Sequence, residues 1–123
     1  MRTIMKMIMM ILAILAGSQF ASAGQHGEDW YRDQWCAGRG KTEAAMSDGT
    51  RCDCLTATHA VEVEHARKWA ESVGQALNYA MQSNKRAGIV MIVERPKDRK
   101  YWIRLNSIIQ SYDLPIDTWK IEN

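Results

Sequence analysis

The chain has 123 residues, which suits a single domain of ordinary size and is too short for several independent cores. Its 16 lysines and arginines are nearly balanced by 14 aspartates and glutamates, so the net charge is only +2. Affinity for a polyanion rises with the number of phosphates neutralised, so this balance excludes a protein that holds nucleic acid through its overall charge. Any nucleic-acid site must therefore be local.

The amino-terminal segment has the pattern of a secretory signal peptide. Arg2 and Lys6 precede or flank an apolar run over residues 7–16, and Ala21-Ser22-Ala23 is a small-x-small cleavage site. The run is shorter than the roughly 20 residues that a membrane-spanning helix needs. We expect residues 1–23 to be removed and residues 24–123 to form one domain in the periplasm or outside the cell. The alternative is a retained amphipathic anchor.

The elements that follow predict an α/β domain with a mixed central sheet flanked by helices, in the order α-β-β-β-α-β-α-β. In chain order they are a helix over 28–37, strands over 42–47, 50–56 and 59–65, a helix carrying the apolar residues of 69–81, a strand over 89–93, a helix over 98–112 and a strand over 116–121. Asp98 is the expected N-cap of the last helix.

The first two strands flank Asp48-Gly49, a strong hairpin signal. The length of the turn decides the register of Glu43. A two-residue loop would place Glu43 opposite Cys54, whereas a three-residue loop would bring it to the side of Asp53. Glu43 is therefore a candidate acid whose role depends on the turn.

Three cysteines become disulfide candidates once the chain is exported, because disulfides persist in oxidising compartments. Cys52 and Cys54 share a face of their predicted strand and are poorly placed to bond each other. We expect a Cys36–Cys54 bond, with Cys52 free and buried. A Cys36–Cys52 bond is a close alternative, and a Cys-x-Cys metal site is a weaker one, since no suitably spaced histidine pair accompanies it.

The third strand and the helix after it place polar side chains together. Alternation along the strand puts Glu62 and Glu64 on one face and His59, Val61, Val63 and His65 on the other. The helix has an apolar stripe, which is expected to face the core and consists of Trp69, Ala70, Val73, Leu77, Ala80 and Met81. Its opposite stripe consists of Lys68, Ser72, Gln75 and Tyr79.

These residues resemble the signature of the PD-(D/E)XK nuclease superfamily, which has the restriction-endonuclease-like fold. The likeness lies in Asp53 on one strand, Glu62-Val63-Glu64 on the next and Gln75 with Tyr79 on the following helix. More narrowly, the stretches 48–53 and 68–75 resemble a small bacterial branch of that superfamily. The resemblance covers most of residues 28–123. One position departs from the signature, because glutamate stands at position 64 where the superfamily usually has lysine.

The resemblance implies a metal-dependent hydrolysis of phosphodiester bonds in DNA or RNA. Asp53 and Glu62 would hold Mg²⁺ or Mn²⁺, for which carboxylates are suitable hard ligands. Glu64 would be a third ligand or a partner of Lys68, and Lys68 would supply the ammonium group from the neighbouring helix. The alternative is a catalytically inactive nuclease-like domain that binds a protein or nucleic-acid partner. Without the resemblance, an ordinary solvated sheet face with ion-paired glutamates explains the same spacing.

Overall fold

A computed structural model describes residues 25–122, so the predicted signal peptide lies outside the described residues. The elements in chain order are helix α1 (Glu28–Cys36), strands β1 (Gly40–Ala45), β2 (Arg51–Thr56) and β3 (His59–His65), helix α2 (Trp69–Ser83), strand β4 (Arg86–Val93), helix α3 (Arg99–Ser111) and strand β5 (Ile116–Glu122). Short 3-10 turns, Ala66–Lys68 and Pro96–Asp98, lead into α2 and α3. Within residues 25–122 no helix is long and apolar enough to cross a membrane.

The strands form one five-stranded sheet in the order β1-β2-β3-β4-β5. The pairs β1/β2 and β2/β3 are antiparallel, whereas β3/β4 and β4/β5 are parallel and are connected through α2 and α3. The prediction of an α/β domain with a mixed sheet flanked by helices is therefore confirmed.

Helices cover both faces of the sheet. Tyr31 and Cys36 of α1 pack against Val61, Val63 and neighbouring residues on one face. On the other face α2 and α3 pack against the alternate residues of β4, including Ile89, Met91 and Val93. Strand β4 is buried on both sides, as its continuous apolar run predicts.

The predicted apolar stripe of α2 is confirmed in part, because four of its residues pack against the core: Trp69, Val73, Leu77 and Ala80. Of the predicted polar stripe, Ser72 and Tyr79 are buried and Gln75 is exposed. Met81, predicted to face the core, is 74% exposed. The helix packs on β3 and β4 beside α3, and Met81 lies outside this buried surface.

The first hairpin has a three-residue loop. The amide of Met46 donates to the carbonyl of Thr50 at 2.8 Å, which leaves residues 47–49 as the turn, with Gly49 at a φ of +85°. Thr42 pairs with Cys54 and Ala44 with Cys52, so the intervening Glu43 is level with Asp53. Of the two registers considered, the three-residue one is observed.

One local prediction is confirmed in position only, and another is wrong. Asp98 occupies the N-cap position of α3, but its carboxylate accepts a hydrogen bond from Arg95 at 3.2 Å and makes no side-chain cap. Cys52 and Cys54 do not share a face. Cys52 packs with Ala60, while Cys54 packs with Val61, and these two neighbours on β3 point to opposite faces of the sheet. The backbone pairing of β2 with β3 ends at Cys54, and Cys52 lies beyond it.

Cys36 and Cys54 form a disulfide that joins the end of α1 to β2, and Cys52 is free and buried. The pairing favoured by the sequence is confirmed, and the Cys36–Cys52 alternative is not observed. Such a bond is compatible with an extracellular protein.

Removing this disulfide should destabilise the domain strongly. The bond closes a loop with a sequence separation of 18, for which chain-entropy arguments give about 3 kcal/mol. We expect Cys36→Ala with Cys54→Ala to lower the free energy of unfolding by roughly that amount in urea titrations. Cys52→Ala is the control, since it leaves the bond intact. Thiol titration of the unfolded, non-reduced protein should find one thiol, and three thiols would contradict the assignment.

Candidate functional site: an acidic opening between two strands

Strands β2 and β3 separate at the level of Asp53. Their backbone pairing is confined to Cys54 with Val61 and Leu55 with Ala60. Beyond that point the amide of Val63 donates to the carboxylate of Asp53 at 2.8 Å instead of to a backbone carbonyl of β2. Asp53 thus occupies the place of a ladder hydrogen bond and lines the opening between the strands.

Two further carboxyl groups enter this region from β3. Glu62 and Glu64 alternate with Val61 and Val63, which face α1, and each glutamate is only 4% exposed. Glutamate is rarely buried unless its charge is neutralised or paired. Two buried glutamates beside Asp53 are therefore unlike an ordinary solvated sheet face.

The shifted pKa values follow from this burial. Desolvation, followed by the negative charge of Asp53, raises the pKa of Glu62 to about 10. Desolvation also raises the pKa of Asp53, partly offset by hydrogen bonds from the Val63 amide and from Glu62. At neutral pH, Glu62 therefore keeps its proton and donates a hydrogen bond to the Asp53 carboxylate.

A fourth acid, Glu28 in the first turn of α1, belongs to the same group. Burial and a hydrogen bond with Glu64 raise the pKa of Glu28 to about 7. Nothing in the sequence singles out this residue, because acidic residues are common in the first turn of any helix. Only the packing of α1 on the sheet brings Glu28 to Glu64.

Lys68 supplies a positive charge at the edge of the group. Its Nζ atom lies 3.8 Å from Oε1 of Glu64, and its side chain is 48% exposed. The 3-10 turn between β3 and α2 places the lysine one helical turn beyond Glu64. An ammonium group therefore reaches the acidic opening although position 64 is a glutamate.

The remaining predicted site residues are placed differently. Glu43 points to the guanidinium groups of Arg32 and Arg51, at 3.0 and 3.4 Å. Gln75 is exposed on α2. Tyr79 is buried, and desolvation followed by the charge of Glu62 raises its pKa to about 12, so its hydroxyl stays protonated beside the acids.

Cys52 lies behind Tyr79 in the same small core cluster. Burial raises the pKa of its thiol to about 11, and the charge of Glu62 adds to the shift. Since the thiolate is the reactive form, this cysteine is inert as a nucleophile at neutral pH.

Three arginines of the lysine- and arginine-rich stretch over residues 85–104 are already paired. Arg86 bonds Asp117 at 2.9 Å, Arg95 bonds Asp98 at 3.2 Å and Arg99 bonds Glu122 at 2.7 Å. These pairs disperse the positive charge over separate parts of the surface. Lys68 is the basic residue that the described chain places against Glu64.

The donor atoms of the opening suit a hard divalent ion. Among residues 25–122 there is no group of three or more His, Cys, Asp or Glu side chains arranged to hold a metal. Mg²⁺, however, commonly uses one or two protein carboxylates and completes its shell with water and substrate phosphates. Asp53 and Glu62, whose carboxyl groups are hydrogen-bonded to each other, supply two such groups.

Comparison of the chain with family models, with curated proteins and with solved structures finds no match in any of the three.

Proposed function

We propose that the protein is a metal-dependent phosphodiesterase of the nuclease type that acts on DNA or RNA, built on a restriction-endonuclease-like fold. The observation that carries this proposal is the hydrogen-bonded pair of half-buried Asp53 and buried Glu62 at the point where β2 and β3 separate. Glu64 and Lys68 at the edge of the same opening support it.

Each residue has a defined part in this proposal. Asp53 and Glu62 would hold the divalent ion, Mg²⁺ or Mn²⁺. That ion supplies neutralisation of phosphate charge and activation of water. Glu64 positions the Lys68 ammonium group, which is exposed enough to meet a phosphate oxygen and to stabilise charge that develops during hydrolysis. Tyr79 lies near Glu62 and Asp53, whose charges disfavour ionisation of its hydroxyl group.

Metal binding tests the proposal directly. Because Glu62 is protonated at neutral pH, binding must displace its proton. Calorimetric titration with Mn²⁺ and Mg²⁺ in two buffers of different ionisation enthalpy should therefore show proton release. Asp53→Asn retains an acceptor for the Val63 amide but lacks the negative charge. The variant should therefore fold normally and bind Mn²⁺ and Mg²⁺ far more weakly than the wild type.

Glu43→Gln is the matched control. It removes an acid at the same level of the neighbouring strand, where the carboxylate faces two arginines instead of the opening. The control should bind metal like the wild type.

Cleavage of single-stranded DNA, duplex DNA and RNA, each with and without metal, then identifies the substrate. Absence of both metal binding and cleavage in the wild type would refute the proposal.

A second candidate function is a catalytically inactive nuclease-like domain that binds a protein or nucleic-acid partner. It is favoured by the ion pair between Lys68 and Glu64, which occupies the ammonium group, and by the lack of a three-ligand metal group in residues 25–122. Nucleic-acid binding that is unchanged by chelator, without any cleavage, would select this candidate.

We also propose that the protein works in the periplasm or outside the cell. The disulfide supports this location, because such bonds are rare in the cytosol. The mature chain should begin at Gly24, after Ala21-Ser22-Ala23. The intact mass of protein recovered from the periplasm or the medium measures this start, and a mass that includes Met1 would contradict it.

A further inference from the structure

A cavity of about 340 Å³ lies at the other end of α1 from the acidic opening. Trp35 of α1 and Trp119 of β5 line it, with Arg39 and the β2–β3 turn completing the wall. Glu28 and Trp35 are separated by about 10 Å along the helix axis. Sites for small ligands begin at about 300 Å³ and combine aromatic walls with a few polar groups, so this cavity has a suitable size.

The aromatic walls are held in place by packing. The ring of Trp119 lies directly over Gly88, where a Cβ atom would approach it to 2.8 Å. The centroids of the Trp35 and Trp119 rings are 5.4 Å apart, and the rings of His59 and Trp119 make a T-shaped contact with a centroid distance of 5.2 Å. A planar ligand therefore finds indole surface that is already ordered.

Most polar groups of the wall are already satisfied within the protein. The Thr56 hydroxyl accepts hydrogen bonds from the amides of Thr58 and His59, at 3.3 and 2.9 Å. The Thr58 hydroxyl bonds Nδ1 of His59 at 2.7 Å, and Nε2 of His59 bonds Asp117 at 2.6 Å. Asp117 is itself paired with Arg86. These groups shape the cavity and leave little capacity for a ligand.

Arg39 is different. Its guanidinium group lies 4.7 Å from the centroid of the Trp35 ring and donates to the backbone carbonyl of Trp35. No other acceptor within residues 25–122 takes a hydrogen bond from it. Guanidinium has five N–H donors in a planar arrangement that suits carboxylate and phosphate. The cavity thus combines aromatic surface with one exposed, largely unused positive charge.

We propose that this aromatic pocket binds a small planar aromatic anion, with the ring against Trp35 and Trp119 and the anionic group paired with Arg39. Two sources share this chemistry: a nucleoside monophosphate and an aromatic carboxylate. The pocket is separate from the acidic opening, so the proposal stands or fails independently of phosphodiesterase activity.

Titration of the ¹⁵N-labelled protein with AMP and, separately, with indole-3-carboxylate tests the proposal. The indole N–H signals of Trp35 and Trp119, assigned with Trp35→Phe and Trp119→Phe, should shift in a saturable manner with at least one of the two. The tighter ligand identifies the source. Adenosine or indole, which lack the anion, should bind at least about tenfold more weakly.

Arg39→Gln should weaken binding of the anion by about tenfold or more. Arg104→Gln is the matched control, because Arg104 is also exposed and lies over an aromatic ring, that of Tyr101, at 5.5 Å. It should leave binding unchanged. Three results would each overturn the proposal. The first is equal binding of adenosine and AMP together with equal binding of indole and indole-3-carboxylate. The second is the lack of a saturable shift with either anion, and the third is a set of shifts that follow dimerisation in light scattering.

Discussion

Glu62→Gln should remove most of the pH dependence of stability in the metal-free protein. The pKa of Glu62 is about 10 in the folded state, against an ordinary value of 4.5. The folded state therefore holds a proton that the unfolded state releases above its own pKa. The stabilisation from this proton is complete below the ordinary pKa and is lost as the pH rises toward the folded-state value.

The expected effect is large, because one such group changes the free energy of unfolding by up to about 1.4 kcal/mol per pH unit. Urea titrations of the wild type at about pH 5 and about pH 8 should differ by up to roughly 4 kcal/mol. Glu62→Gln should flatten this difference, because glutamine is neutral and still donates a hydrogen bond to Asp53. Glu28, whose pKa is about 7, leaves a smaller dependence below neutral pH.

Metal addition extends the same experiment. Excess Mg²⁺ at about pH 8 should stabilise the wild type, because a ligand that binds only the folded state raises its stability by mass action. The free energy of unfolding of Glu62→Gln should rise little when Mg²⁺ is added. Glu71→Gln, at an exposed position in the first turn of α2, is the control and should behave like the wild type. A wild-type stability that rises between the two pH values would contradict the assigned burial of Glu62.

The sequence predicts the sheet well where a single period decides the structure. Strand alternation places Glu62 and Glu64 together, and the step from Glu64 to Lys68 brings the ammonium group to the carboxylate. The continuous apolar run of β4 correctly predicts a strand buried on both faces. These are local properties, and each needs only a few consecutive residues.

The parts that could not be predicted depend on contacts distant in sequence. Glu28 reaches Glu64 only because α1 packs across β3, and no local pattern records that placement. The same applies to Met81, which lies outside the surface that α2 packs against the sheet. Cys52 and Cys54 illustrate a second cause. Strict alternation fails between them at the point where β2 parts from β3 and the Val63 amide bonds the Asp53 side chain.

Lys68→Met should separate catalysis from metal binding. Methionine keeps much of the length of lysine but has no charge. Because Lys68 is half exposed and its pairing with Glu64 spans 3.8 Å, its loss should change the free energy of unfolding by less than about 1 kcal/mol. Mn²⁺ affinity should remain close to that of the wild type, since the proposed ligands are Asp53 and Glu62.

Turnover should respond very differently. An electrostatic contact that acts mainly in the transition state is worth about 100-fold to 1,000-fold in kcat, so Lys68→Met should lower cleavage by that factor. Arg67→Met is the matched control, because Arg67 is the exposed basic neighbour in the same 3-10 turn and has no part in the proposed site. It should leave both kcat and metal affinity unchanged.

Glu64→Lys in the Lys68→Met background tests whether an ammonium group can act from position 64, where the nuclease signature usually has lysine. Position 64 lies beside Glu62 on β3 and within reach of Glu28, so two carboxyl groups are available to a lysine placed there. We expect the double variant to recover a substantial part of the lost turnover, measured as kcat on the same substrate with saturating Mn²⁺.

If Lys68→Met and Arg67→Met lower cleavage equally, the lysine contributes only general positive charge. If neither variant changes cleavage and Glu64→Lys adds nothing, Lys68 has no role in catalysis, and the opening acts through its carboxyl groups alone.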